Sequence, residues 1–199
     1  MRRLALFAAL LVSSLACERT DPNQLFAPAE AGLTLAYENP SLPESQRTQE
    51  RLQVRIAKVE REGPKLLVIK TFTTLVGQMD VLFVYENGGV SLMRDPKTVA
   101  LVVLPQHFPN VRGWEDRGRR YRVEGRAAMP EIGVRLPDAM NRVGVWVASE
   151  SLDGKGPKRR TFFLSRFGEM ETQEFQMGKW IVVNRLSSYG FEDLPSNKN

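Results

Sequence analysis

From Leu33 onward the chain runs in short apolar stretches broken at regular intervals by turn residues. Leu52, Val54 and Ile56 alternate with Gln53 and Arg55, the two-residue period of a half-buried strand. Similar stretches run over 33–37, 66–75, 79–85, 90–93, 99–104, 121–128, 143–149, 160–165 and 180–187, with a further candidate at 169–175. Between them stand Asn39-Pro40, Glu62-Gly63-Pro64, Asn87-Gly88-Gly89, Asp95-Pro96 and Asp153-Gly154-Lys155-Gly156-Pro157. Asn-Gly is a strong hairpin signal, because both residues accept the positive φ that a tight turn requires. Hardly any segment carries a helical period. Successive strands on short turns predict an all-β fold, a single antiparallel meander that curves strongly into an open or partly closed β-barrel.

Several of these strands are apolar on both faces. Val81, Phe83 and Tyr85 alternate with Leu82 and Val84, and Val99, Leu101 and Val103 with Ala100, Val102 and Leu104. A face turned to water would not hold such residues, so both sides should be covered. Two arrangements satisfy this: a filled sandwich or barrel, and a curved sheet around an apolar pocket.

The first 16 residues follow another rule. Met1-Arg2-Arg3 is cationic, Leu4–Val12 is unbroken apolar sequence, and Ser13-Ser14-Leu15-Ala16 precedes Cys17. Charge, a short apolar core and small residues make the three-part layout of an export signal. The apolar run is far short of the ~20 residues of a membrane-spanning helix. Ser14-Leu15-Ala16-Cys17 resembles the lipobox of bacterial lipoproteins, in which the cysteine is acylated and becomes the mature N-terminus. That resemblance makes Cys17 the lipid-attachment residue, and Glu18 after it resembles the sorting signal for the periplasmic face of the outer membrane. Cys17 is also the only cysteine, so no internal disulfide can occupy it. The expected organisation is a signal peptide (1–16), a lipidated N-terminus and flexible spacer (17–31), a β domain (32–192) and a polar tail (193–199).

Charge narrows the function classes. The net +5 of the full chain falls to +3 without Arg2 and Arg3, too little for a nucleic-acid partner, which needs a concentrated basic stripe. Two basic clusters stand out: Arg117, Arg119 and Arg120, and Lys158, Arg159 and Arg160. Both lie at strand ends and could share one rim of the sheet, facing an anionic surface. The plainer account, and the favoured one, is that charged turns keep strand edges from pairing with neighbours.

Catalytic chemistry is thin. His107 is the single histidine, and no Gly-x-Ser-x-Gly elbow, phosphate loop or dinucleotide fingerprint occurs. A zinc site would need more His or Cys ligands than His107 alone supplies. Asp80, Glu86, Glu124 and Asp138 are acids without a spacing that pairs them for glycosidase-type work. The expectation is therefore a protein that is not an enzyme, with no cofactor and no metal.

Gly113-Trp114, Phe167-Gly168-Glu169-Met170-Glu171, and Trp180 leading to Leu186-Ser187-Ser188-Tyr189-Gly190-Phe191 together resemble β-rich bacterial envelope lipoproteins of uncharacterised function. These are similar in outline to open-barrel carriers of the lipoprotein-localisation type. The resemblance implies a curved antiparallel sheet around an apolar cavity and carries no catalytic residue. The expected function is a membrane-tethered, non-catalytic binding module for a lipid or other apolar ligand. The alternative is a structural or accessory subunit of an envelope complex, with an envelope protein as partner and a filled β core.

Overall fold

The computed structural model describes residues 26–137 and 142–191. The leader, Cys17, Glu18, Asp138 and the polar tail lie outside the described residues. Twelve strands follow one another: β1 (Leu33–Glu38), β2 (Leu52–Glu62), β3 (Lys65–Thr74), β4 (Gly77–Glu86), β5 (Gly89–Asp95), β6 (Thr98–Leu104), β7 (Gly113–Asp116), β8 (Arg119–Ala128), β9 (Val143–Ser151), β10 (Arg159–Leu164), β11 (Gly168–Gln176) and β12 (Lys179–Phe191). A single helical turn, α1 (Glu44–Arg47), lies between β1 and β2. No helix among the described residues is long and apolar enough to cross a membrane.

All pairings are antiparallel. Each strand pairs with its sequence neighbours, save that β1 sits between β2 and β12 and that β6 and β7 do not pair. The first and last strands thus meet in the middle of the sheet, and the curved sheet nearly closes on itself, leaving one unsealed seam between β6 and β7. The all-β meander expected from the turn spacing is what forms. Register shifts at Ala36/Tyr37, Ile56/Lys58, Phe162/Phe163 and Thr172/Gln173 mark bulges, which add the local bend a closing sheet requires.

Strand direction sorts the connections between two ends. The upper end, where β1 begins, carries residues 63–64, 87–88, 105–112, 129–137, 142 and 165–167. The lower end carries residues 39–51, 75–76, 96–97, 117–118, 152–158 and 177–178. The upper end is stoppered. Phe26 and Ala27, within the stretch read as a spacer, are buried. The Phe26 ring meets Phe108 of the 105–112 loop edge-on at 5.1 Å, and the Tyr85 hydroxyl donates to the Pro28 carbonyl at 3.1 Å. Gly168, at φ +81°, leaves room for Pro28, whose Cδ would stand 3.0 Å from any Cβ there.

The same loop accounts for the seam. Between β6 and β7 the chain does not turn tightly but sends Phe108 into the core, so the two strands never come into register. Among the described residues, the Val102 N–H reaches across the gap and donates to Asp116 Oδ2 at 3.2 Å.

The expectation that the doubly apolar strands are covered on both sides is met on one side only. The inward Phe83, Tyr85 and Leu104 are buried. The outward Leu82, Val84 and Val102 are half-buried, shielded by one another across neighbouring strands rather than by a second layer.

Candidate functional site

Strand β3 places its side chains alternately. Leu66 and Val68 are buried, and with Phe72 they share the inward face, two residues apart. Lys70 occupies the remaining position of that row and turns into the barrel. Its partner across β4 is Val81, and Phe83 and Tyr85 follow on the same face of β4. The Lys70 ammonium lies 4.7 Å from the Phe83 ring centre and 5.5 Å from that of Tyr85. Aromatic faces stabilise a cation partly removed from water. Among the described residues no carboxylate oxygen lies within 4.0 Å of it.

Lys70 lines a cavity of about 280 Å³, at the lower end of the range for small-molecule sites. One wall is Leu35, Leu52 and Val54 of β1 and β2, and another is Leu92, Leu101 and Val103 of β5 and β6. Phe26, Ala27 and Pro28 roof it at the stoppered end, with Phe163, Phe167 and Gly168 beside them. None of the lower-end connections contributes to the lining.

The polar members gather on one side. Glu169 Oε1 accepts from Thr172 Oγ1 at 2.8 Å and from Asn184 Nδ2 at 3.0 Å. The Tyr37 hydroxyl donates to the Glu169 carbonyl oxygen at 3.1 Å. Burial pushes the Lys70 amine down to about 8, and the negative Glu169 opposes that fall only in part. Burial likewise raises the Tyr37 and Tyr85 phenols, with Glu169 adding to the rise at Tyr37. Both phenols therefore stay protonated, as donors, at neutral pH. The site is an apolar slot lined by a cation, a carboxylate held by neutral donors and the Tyr37 hydroxyl. It suits a molecule that is mostly hydrocarbon with an acceptor at one end.

The basic clusters meet at the lower end. Arg120, Lys158 and Arg159, joined by Arg122, line a surface groove of about 500 Å³ with Phe175 and Trp180. Each has a carboxylate: Arg120 with Glu115 at 2.9 Å, Arg122 with Glu124 at 3.4 Å, Lys158 with Glu150 at 3.7 Å and Arg159 with Glu174 at 2.7 Å. Arg160 stands apart, its guanidinium between the rings of Trp146 and Trp180 at 4.7 and 4.6 Å. Arg119 donates to Ser149 Oγ at 3.2 Å, and Arg117 sits on the β7–β8 turn at φ +45°. The groove is mixed in charge, so the interior cavity is the stronger candidate.

The three candidate acids among the described residues are not brought together. Asp80 accepts from Thr71 at 2.6 Å at the lower end of β4, while Glu86 faces Lys65 at 3.8 Å at its upper end. Glu124 pairs with Arg122 on β8, and Asp138 is outside the described residues. His107 lies in the 105–112 loop at φ +64°, its N–H donating to Asn87 O at 2.7 Å. Sequence reasoning missed Lys70 and Glu169 as site residues. The signal for Lys70 was present: a lysine in register with Leu66, Val68 and Phe72.

Fold and site together define a single-seam antiparallel β-barrel with an apolar, lysine-bearing interior. No family model matches the sequence, and no curated protein matches it. Two solved structures share its outline. One, from Bacteroides fragilis NCTC 9343, is described as a "putative exported protein with YmcC-like fold"; it is 10% identical over 84% of this chain and 99% of its own, with a TM-score of 0.47. The other, a "putative lipoprotein" from Parabacteroides distasonis ATCC 8503, is 12% identical over the same shares, with a TM-score of 0.46. Neither likeness bears on function.

Proposed function

We propose that this protein is a non-catalytic binding module of the bacterial cell envelope, tethered by a lipid on Cys17 and holding an apolar ligand inside its barrel. The cavity carries the reading: a filled core has no use for a slot of about 280 Å³, and an empty apolar slot forgoes dispersion contacts that a ligand would restore. Lys70 supports it. Placing an amine among Leu66, Val68 and Phe72 costs stability, and such a cost is commonly retained where the group serves a site. The leader and Ser14-Leu15-Ala16-Cys17 support the tether, and Glu18 supports the periplasmic face of the outer membrane. The accessory-subunit reading rests on a filled core and is the weaker for the cavity.

Native mass spectrometry of protein extracted from its own membranes tests the reading. A fraction should carry a noncovalently held apolar molecule, released on unfolding, besides the covalent acyl mass on Cys17. Protein that is empty, and stays empty when offered fatty acids, would defeat the proposal.

A further inference from the structure

The barrel's two ends differ in a way that its interior does not require. Nine large hydrophobic residues are exposed among those described, and seven lie at the lower end. Leu75, Val76 and Met79 belong to the β3–β4 hairpin, and Phe175 and Met177 to β11–β12. Val99 and Leu152 stand beside two other lower connections. The tips are bare: Val76 is 96% exposed and Met177 100%. Met177 is also at φ +49°, followed by Gly178 at +82°, a turn in which Asn or Gly would be less strained. A residue strained and wholly exposed at once contributes nothing to folding that Asn would not supply better.

Around the same ring stand cations. Lys97, Arg117, Lys155, Lys158 and Lys179 are on or beside its turns. The nearby acids Asp95 and Asp153 are turned back on their own hairpins, accepting from the Lys97 and Lys155 backbone N–H groups at 2.9 Å each. Lys158 is shared with Glu150, and in the 39–51 connection Glu44 and Glu50 are balanced by Arg47 and Arg51. The unbalanced charge is positive.

We infer that the lower end of the barrel rests on an anionic phospholipid bilayer, with the Leu75-Val76 and Met177 tips in the boundary between headgroups and acyl chains. Apolar residues on separate projecting tips, with lysines between them, match a lipid interface. A protein interface would instead present a continuous patch depleted in lysine. The contact with the bilayer stands or falls independently of whether the cavity holds anything.

The test uses the full chain in vesicles of phosphatidylethanolamine and phosphatidylglycerol. An environment-sensitive nitrobenzoxadiazole dye is placed on V76C at the lower end or on E62C at the upper end, and nitroxide-bearing lipids serve as quenchers. The wild-type chain carried through the same labelling supplies the blank for any dye on Cys17. The dye at 76 should shift to the blue and be quenched several-fold more than the dye at 62, and the difference should shrink in L75S/M177S. Equal quenching at both positions overturns the inference. So does a dye at 76 that stays in water, or one shielded without lipid quenching, which would point to a protein partner instead.

Discussion

Lys70 and Glu171 are both charged groups taken into the barrel wall, and they are handled differently. Lys70 has two aromatic faces and, among the described residues, no carboxylate oxygen within 4.0 Å. Its folded value of about 8 lies below the 10.5 of an unfolded lysine. Between those values the unfolded chain binds a proton that the folded one does not, so stability rises with pH across that window and the full penalty applies below it. Lys70→Met should therefore raise stability at pH 7 by about 1–3 kcal/mol and flatten the pH dependence between 8 and 10.5. Urea denaturation at a series of pH values measures both, and a less stable variant with an unchanged slope would contradict the assignment. Glu171, 1% exposed, is held by Arg185 Nε at 2.8 Å and by Gln173 Nε2 at 2.5 Å. Arg185→Met would strand that carboxylate and should cost about 3 kcal/mol, whereas replacing both partners by apolar residues should cost far less. Denaturation midpoints of the single and double variants distinguish the two cases. Lys70 and Arg185 are both charges within strands, and of the two, among the described residues, only Arg185 pairs with a buried acid. That distinction was not legible in the sequence, because cross-strand partners are set by register.

At the scale of elements, the strands were legible wherever turn chemistry was conventional. Asn87-Gly88, at φ +50° and +77°, is the hairpin its residues announce. Arg117-Gly118 and Met177-Gly178 take the same backbone form with an arginine or a methionine where Asn is usual. The first of them hid β7, whose four residues are too short for a period to register. The seam was equally hidden, since it results from Phe108 docking at the far end rather than from any property of β6 or β7. Both strands have an unpaired edge; β7 is short and carries Glu115 and Asp116, features that keep a free edge from pairing with a neighbour. Asp116 also satisfies the Val102 N–H, so Asp116→Ala should speed hydrogen exchange at Val102 while leaving β2 and β3 amides protected. Uniform acceleration across the sheet would mean that the bond has a wider role. Gly144 marks a different constraint. A Cβ there would collide with the Phe163 carbonyl and the Phe162 ring, so Gly144→Ala should destabilise the β9–β10 pair by about 1–3 kcal/mol, read as a lower melting temperature.

At the scale of the whole molecule, the sequence left open whether the doubly apolar strands enclose a filled core or a pocket. Periodicity assigns residues to faces but does not report the radius at which a sheet closes. Twelve strands with one open seam leave more room than the inward side chains fill, even with residues 26–28 folded in as a stopper. The result is a polarised body, stoppered at the upper end by residues 26–28 and carrying an apolar, basic rim at the lower. Its central claim is that the remaining space is a binding site. The most direct measurement is a titration with a fluorescent fatty acid of the wild-type chain beside Leu92→Trp, a substitution that places a larger side chain in the cavity wall. Saturable one-to-one uptake by the wild type, lost in a variant that keeps its β-sheet circular dichroism, is the result expected. No saturable uptake, or equal uptake by both chains, would contradict it.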